Sequence, residues 1–384
     1  MRSSGMAEHF DVIVVGVGAM GAAACWEFAK RGVCVLGLEQ FDIPHTRGSS
    51  HGYSRMTRMA YCEHPDYVPL LRRSNALWRV LEQESGESLL HLVGGLYMGP
   101  LGGELVGGAL RSARQHGLPH ELLEHRALAQ RFSQFVLPED WVGLHEPQAG
   151  FLLPELAISA LASCALRRGA EIHGHEAVQS WKIEAGHATV VTSRATYHAD
   201  KLILSGGAWS NRLVTALGVP LVVTRQTLGW VWPKVWSSFK LGTLPVWMID
   251  RLDGGVYYGF PMITQSPGFK VALHAPLQPT DPDRVEREIL PGDEETFRSC
   301  LRRFVPSADG PLLALRTCLY TNTPDAHFIL DRHPQHDRVF VAAGFSGHGF
   351  KFATAMGASL ADLACDGRTD LPIGFLGLKR FRAE

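Results

Sequence analysis

The chain holds 384 residues, 46% of them hydrophobic and 20% charged, enough for two domains with a sizeable core. A formal charge of −1 and a pI near 7.0 leave no basic footprint for nucleic acid or an anionic membrane surface. Seven cysteines at scattered positions (Cys25, Cys34, Cys62, Cys164, Cys300, Cys318, Cys365), with no C-x-x-C pair, exclude a disulfide framework and a zinc knuckle and fit a reducing cytoplasm.

Met1 to His9 reads as a leader, with Met6 an alternative start. Glu8 and Asp11 stand against a lone Arg2, so this is no positively charged signal-peptide region. The apolar run from Val12 to Trp26 is interrupted by Gly16, Gly18 and Gly21 and is too short to span a bilayer. No membrane segment is expected.

Val12 to Val15 predicts a strand buried on both faces. It runs into Gly16-Val17-Gly18-Ala19-Met20-Gly21, a G-x-G-x-x-G spacing, then a helical stretch to Lys30 and a second strand, Val33 to Leu38, closing on Glu39. In this pattern Gly16 permits the tight turn, Gly18 lets a pyrophosphate approach the backbone, and Gly21 lets helix and strand pack closely. The pyrophosphate would sit on the helix N-terminus, where free N–H groups and the positive dipole end favour an anion. Glu39 has the offset of an acid that binds a ribose hydroxyl, which favours NAD or FAD over NADP.

The loop from Gln40 to Ser54 would lie at the carboxyl end of the second strand, where ligands bind in open α/β sheets. Arg55 and Arg58 would share a face if helical. Asp66 is a candidate N-cap for an amphipathic helix reaching about Glu84. Gly94 to Met98 reads as a strand, 103–132 as two helical stretches, Trp141 to Leu153 as turn-rich, and Glu155 to Arg168 as a helix. Ala170 to Ala199 reads as a β-meander, and Ala199 to Leu204 as a buried strand ending in glycines. His173 and His175 would share a strand face, but no third ligand is near, so no metal site is expected.

Val222 to Trp232 and Val246 to Phe260 are β-rich and aromatic, a packed sheet or a pocket wall, and Phe269 to His274 continues the alternation. A helix is expected from about Glu294 to Phe304. Val339 to Ala343 is another buried strand, followed by a loop holding Gly344, Phe345, Gly347, His348, Gly349 and Lys351 and a helix to about Asp366. This second strand–glycine loop–helix unit suggests a nucleotide domain opened and closed by the two chain ends. Its helix N-terminus and Lys351 suit an anionic reduced flavin.

Five stretches, DVIVVGVGAMG, PHTRGSSHGYSRMTRMAY, VYYGFP, TCLYTNTPDAHFILDRHP and GFSGHGFKF, span nearly the whole chain. On them the sequence resembles the monomeric sarcosine oxidase and N-methyl-tryptophan oxidase family, which includes peroxisomal sarcosine/pipecolate oxidases. The resemblance implies an α/β (α+β overall) architecture. A discontinuous Rossmann-like FAD-binding domain would comprise 7–90, 148–221 and 325–384, and a second, antiparallel-sheet substrate domain 91–147 and 222–324. It implies FAD rather than NAD, joined through its 8α-methyl to Cys318 by a thioether.

The same resemblance places Arg58 and Lys351 on a substrate carboxylate, Arg55 and His51 beside the flavin, and Lys270 at oxygen activation. It places Tyr258 and His274 around the amine, with Met248 lining the pocket. The reaction it implies is oxidation of a secondary amine, sarcosine or a related N-methyl or cyclic amino acid, to an imine that water hydrolyses, with O2 reduced to hydrogen peroxide. N-methyl-tryptophan and pipecolate or proline stay open as substrates. An NAD-dependent dehydrogenase and a non-catalytic FAD-binding protein are the readings from other classes. A monomer is expected. The C-terminus, Arg382-Ala383-Glu384, lacks an S-K-L signal, so the peroxisomal location of some relatives is not expected here.

Overall fold

The strand His9–Val15 lies at the centre of the first of three sheets, and residues 12–15 are buried as their apolar run dictates. In the computed structural model, which describes residues 9–214, 217–275 and 277–381, it pairs in parallel with Val35–Leu38 on one side and Thr196–Leu204 on the other. The expected leader through Glu8 and the last three residues lie outside the described residues. Glu171–His173 adds in parallel beyond Val35–Leu38, and His336–Ala343 pairs in parallel with Thr196–Leu204. Strands from near both chain ends thus meet in one sheet.

The helix Ala19–Lys30 is buried from Ala19 to Ala29, far more than an amphipathic surface helix. Its small residues let it pack beside the helices Ala353–Asp366 and Pro154–Arg167. Gly18 precedes it with no side-chain cap, which leaves its first N–H groups free.

The second sheet is built from Leu312–Asn322, Val222–Val231, Phe269–His274, Val256–Gly259, Val246–Asp250, Gly95–Pro100, Trp141–Glu146 and Glu121–Leu123, in that order. Every neighbouring pair is antiparallel except Val246–Asp250 with Gly95–Pro100. A small third sheet joins Arg55–Thr57, Gly150–Leu152 and Leu90–Leu92.

Several expectations are corrected. Arg55 lies in a strand, so it shares no helix face with Arg58. Trp141–Leu153 is not mainly turn: it holds two strands around a short connection, and Pro147 falls in that connection while both strands pair with neighbours. Glu171–His173 leaves the meander for the opposite edge of the first sheet. Asp66 occupies the N-cap position of Tyr67–Ser85, yet its side chain makes no capping hydrogen bond. His175 lies beyond the strand with φ +53° and pairs with Asp42, so it shares no strand face with His173.

The G-x-G turn carries a steric prediction. A Cβ on Gly21 would collide with the Gly16 carbonyl oxygen and come within 2.8 Å of the Ser205 hydroxyl. Gly21→Ala should cost about 1–3 kcal/mol, the usual range for overpacking. Thermal melting should show a clear drop, and an unchanged melting temperature would mean that the turn is not tightly packed.

Candidate active site

A cavity of about 430 Å3 is walled by residues from both chain ends and from the second sheet. The first turn supplies Gly16 and Gly18, and a Cβ on Gly18 would meet nothing within 4 Å, so the free N–H groups of the helix face open space. Gly21 does not line the cavity; it packs behind Gly16. Glu39 is buried in the wall and accepts hydrogen bonds from Val17 N–H at 2.9 Å and Phe41 N–H at 3.1 Å. Burial pushes its carboxyl up, and those backbone donors oppose the shift. Glu176, unmarked in the sequence, is buried in the same wall, where Thr192 and Tyr197 donate their hydroxyls to it.

Cys318 enters the wall from the strand Leu312–Asn322. Its Sγ lies 3.4 Å from the Arg55 guanidinium, which also donates to the Ser49 carbonyl at 2.8 Å. The loop after His336–Ala343 brings Gly344, Phe345, Gly347, His348, Gly349 and Lys351 to the same cavity. A dinucleotide fits this donor set: free helix N–H groups beside open space, a buried acid at the ribose offset, and a thiol beside an arginine.

Arg58 and Lys351, distant in sequence, also share the cavity wall and are both buried. Arg58 forks onto Glu63, with N–O distances of 2.9 and 2.5 Å, and lies 4.1 Å over the Tyr61 ring. Burial would raise the Glu63 carboxyl, but Arg58, His348 and Lys351 outweigh it and hold the group well below the usual range. Lys351 donates to the His348 carbonyl at 2.6 Å. Burial, then the Arg58 charge, bring its pKa down to about 7. His348 donates from Nε2 to the Ala326 carbonyl at 3.0 Å, so its Nδ1 accepts the Tyr61 hydroxyl at 2.5 Å. Burial holds this ring neutral, with a pKa near 3.

Met248, Tyr258 and His274 line the cavity from adjacent strands, and Met248 and Tyr258 are cross-strand partners. His274 Nδ1 lies 3.3 Å from the Tyr320 hydroxyl, and burial brings its pKa down to about 4, so it is neutral near pH 7. Burial likewise pushes the Tyr258 and Tyr320 hydroxyls up, keeping them protonated.

Besides Gly21, two of the expected residues do not line the cavity: Lys270 and His51. The Lys270 ammonium is buried and donates to the Gly52 and Ser54 carbonyls at 2.8 and 2.7 Å. Both His51 ring nitrogens are buried without a hydrogen-bond partner among the described residues. The aromatic sheet resolves between its two readings. Trp230 and Trp247 are fully buried in sheet packing, Trp232 and Trp236 are exposed, and none of the four lines the cavity, whereas Tyr258 does.

Sequence reasoning missed Glu63, Glu155 and Tyr61. Arg58 and Glu63 are five apart in an irregular segment, so no helical or strand period links them. A carboxylate close in sequence to an arginine expected in an apolar cavity was the available signal. The single group of metal-ligating side chains among the described residues, His9, His187 and Asp200, contributes nothing to the cavity wall.

Residues 11–363 match the FAD dependent oxidoreductase family. The chain is 40% identical over 381 residues to the monomeric sarcosine oxidase of Streptomyces avermitilis, covering 98% of this chain and 99% of that one. It is 33% identical over 375 residues to the N-methyl-L-tryptophan oxidase of Yersinia pestis, covering 97% and 100%. Among solved structures, the open form of NikD, an unusual amino acid oxidase, superposes with a TM-score of 0.83 at 26% identity over 96% of this chain and 97% of that one. The chain belongs to the FAD dependent oxidoreductase family.

Proposed function

We propose that the protein oxidises a small secondary amino acid, sarcosine or a related N-methyl or cyclic α-amino acid. The amine loses two electrons and two protons to give an imine, water hydrolyses this to aldehyde and amine, and O2 takes up the two electrons and two protons to leave as hydrogen peroxide. The observation that carries the reading is the buried pair Arg58 and Lys351 in the wall that also holds Cys318. The likeness to sarcosine oxidases supports it. We further propose 7–90, 148–221 and 325–384 as the FAD-holding domain, 91–147 and 222–324 as the substrate domain, and a monomer in the cytoplasm.

FAD would supply the two-electron acceptor, with Gly16, Gly18 and Glu39 holding its AMP half, Cys318 tethering its ring, and Arg55, His51 and the 344–349 loop around it. Arg58 and Lys351 take the substrate carboxylate. In an apolar cavity a carboxylate needs charge-assisted bonds, and an arginine fork suits it best. His274 and Tyr258, neutral near pH 7, face the amine without adding a charge that would repel or protonate it. Lys270 places a buried cation on the oxygen side.

Three outcomes test this reading. Acid-precipitated wild type should stay yellow and Cys318→Ala should release its FAD; a colourless wild-type pellet would remove the tether. Peroxide assays with sarcosine, proline, pipecolate and N-methyl-tryptophan should rank the substrates, and Lys351→Ala should raise KM. Losing one charge-assisted hydrogen bond costs about 1.5–3 kcal/mol, or roughly one to two decades. Silence with all four amines would refute the activity.

The third is a pH profile. Lys351 titrates near pH 7 in the free protein, and a bound carboxylate favours its charged form. Above pH 7 binding must therefore draw a proton onto Lys351, so affinity falls as pH rises, by up to about tenfold per unit. Acetate, which has no titrating amine, should show this rise in Kd between pH 7 and 9. Lys351→Met should flatten the profile, and a flat wild-type profile would take Lys351 out of the carboxylate site.

A further inference from the structure

We propose that Glu155 is the positioning residue of the oxygen side: its carboxylate clamps the turn 52–54, and the carbonyls of that turn hold Lys270. The proposal rests on the reading of Lys270 given above. Glu155 stands in the first turn of the helix Pro154–Arg167. One carboxylate oxygen accepts the Gly52 N–H at 2.6 Å, and both accept the Tyr53 N–H at 3.2 Å. Two successive backbone donors are thereby aimed at a single anion.

The turn needs such a clamp. Gly52 has φ +100° and Tyr53 φ +66°, and the second value is rare for a bulky side chain. A Cβ on Gly52 would come within 2.7 Å of Leu228 Cδ1 and 3.5 Å of the Lys270 ammonium, so the backbone passes directly against the lysine. The turn closes on itself through Ser54 N–H, which donates to the Gly52 carbonyl at 2.8 Å. That carbonyl and the Ser54 carbonyl then accept from Lys270, and the Ser54 carbonyl also accepts from Arg55 at 3.2 Å. A shift of the turn would misplace both cations.

Charge gives Glu155 a second hold on the cluster. Burial disfavours the charged form of Lys270, as do the neighbouring Arg55 and Arg316, whereas Glu155 favours it. Arg55 also faces Glu155, and Arg316 donates to the Tyr53 hydroxyl. Three cations thus crowd the turn, and Glu155 is the carboxylate that both Lys270 and Arg55 face. A glutamine in its place would keep one acceptor, turn an amide toward the Tyr53 N–H, and leave the cations uncompensated.

Lysine acetylation of the holoenzyme, read by peptide mass spectrometry, reports on Lys270 without turnover. In wild type Lys270 should stay unlabelled while the exposed Lys182 reacts; in Glu155→Gln, Lys270 labelling should rise at least tenfold. In the same variant the reaction of reduced enzyme with O2 should slow tenfold or more, a larger loss than in reduction by substrate. Glu155→Asp, which retains the charge, should recover most of both. Glu155→Gln combined with Lys270→Met should be no slower with O2 than Lys270→Met alone, because the two act through one group. If Glu155→Gln fails to fold, Glu155→Asp provides the labelling readout, with an intermediate rise expected. Unchanged Lys270 labelling in the folded variant, or an O2 rate within twofold of wild type when Lys270→Met is slow, overturns the proposal. If Lys270→Met itself reacts with O2 as fast as wild type, the oxygen-side reading of Lys270 falls, and a rise in labelling still supports the clamp.

Discussion

The constraint on which this structure depends is the burial of three cations, Arg58, Lys270 and Lys351, and the half-burial of a fourth, Arg55, in and just behind the wall of one cavity. Taking a charge out of water costs several kcal/mol even after the protein relaxes, so each must find an anion or a set of carbonyl oxygens. Arg58 has Glu63, and Lys270 has two carbonyls of a turn tied to Glu155. Arg55 has the Ser49 and Ser54 carbonyls. Lys351 has the His348 carbonyl, and its burial together with the unfavourable charge of Arg58 brings its pKa down to about 7. That imbalance suits the cavity to an anion, which supports the proposed substrate carboxylate beside an electron-rich cofactor.

The fold places these charges by running elements from distant parts of the chain to one place. The helix after the G-x-G turn brings free N–H groups. The strand Leu312–Asn322 carries Cys318, and its neighbour Val222–Val231 pairs with Phe269–His274, which carries Lys270 and His274. The loop from Gly344 to Lys351 leaves the first sheet and meets Arg58 through Tyr61 and Glu63. Cys318, Lys270 and His274 are carried on strands, whereas Arg58 and the loop from Gly344 come from irregular segments packed against them.

Much of this was legible in the sequence because local patterns carry it. The run Val12 to Val15, the glycine spacing and the buried strand before Gly344 each speak through a few neighbouring residues. Trp141–Glu146 was harder to see because Pro147 and Gly150 lie just beyond it and drew the whole segment into a turn. The site divides along the same line. Arg58 and Lys351 came from long motifs, whereas the pairing of Arg58 with Glu63 and the grip of Glu155 on Gly52 are contacts between irregular segments or distant residues, with no period to announce them. The tryptophans stayed open between core and cavity wall for a related reason. An aromatic on a strand shows which residues alternate, but which face meets the cavity is fixed by sheet packing, and Trp230 and Trp247 turned inward to the core.

The Arg58–Glu63 fork bears on selectivity. In this state the guanidinium already has a bidentate carboxylate, so the arginine is not a bare charge waiting in a dry cavity. An incoming carboxylate must take the remaining donors of Arg58 and the charge of Lys351, or displace Glu63. Displacement would strand Glu63 without its partner unless the ligand brings comparable hydrogen bonds. A neutral amide or ester offers no compensating charge, so it cannot replace Glu63 without loss. The internal pair therefore acts as a competitor that only an anion can match. On the proposed reading, this would favour amines carrying a carboxylate and leave Met248 and Tyr258, which line the cavity, to discriminate by the size of the remaining substituent.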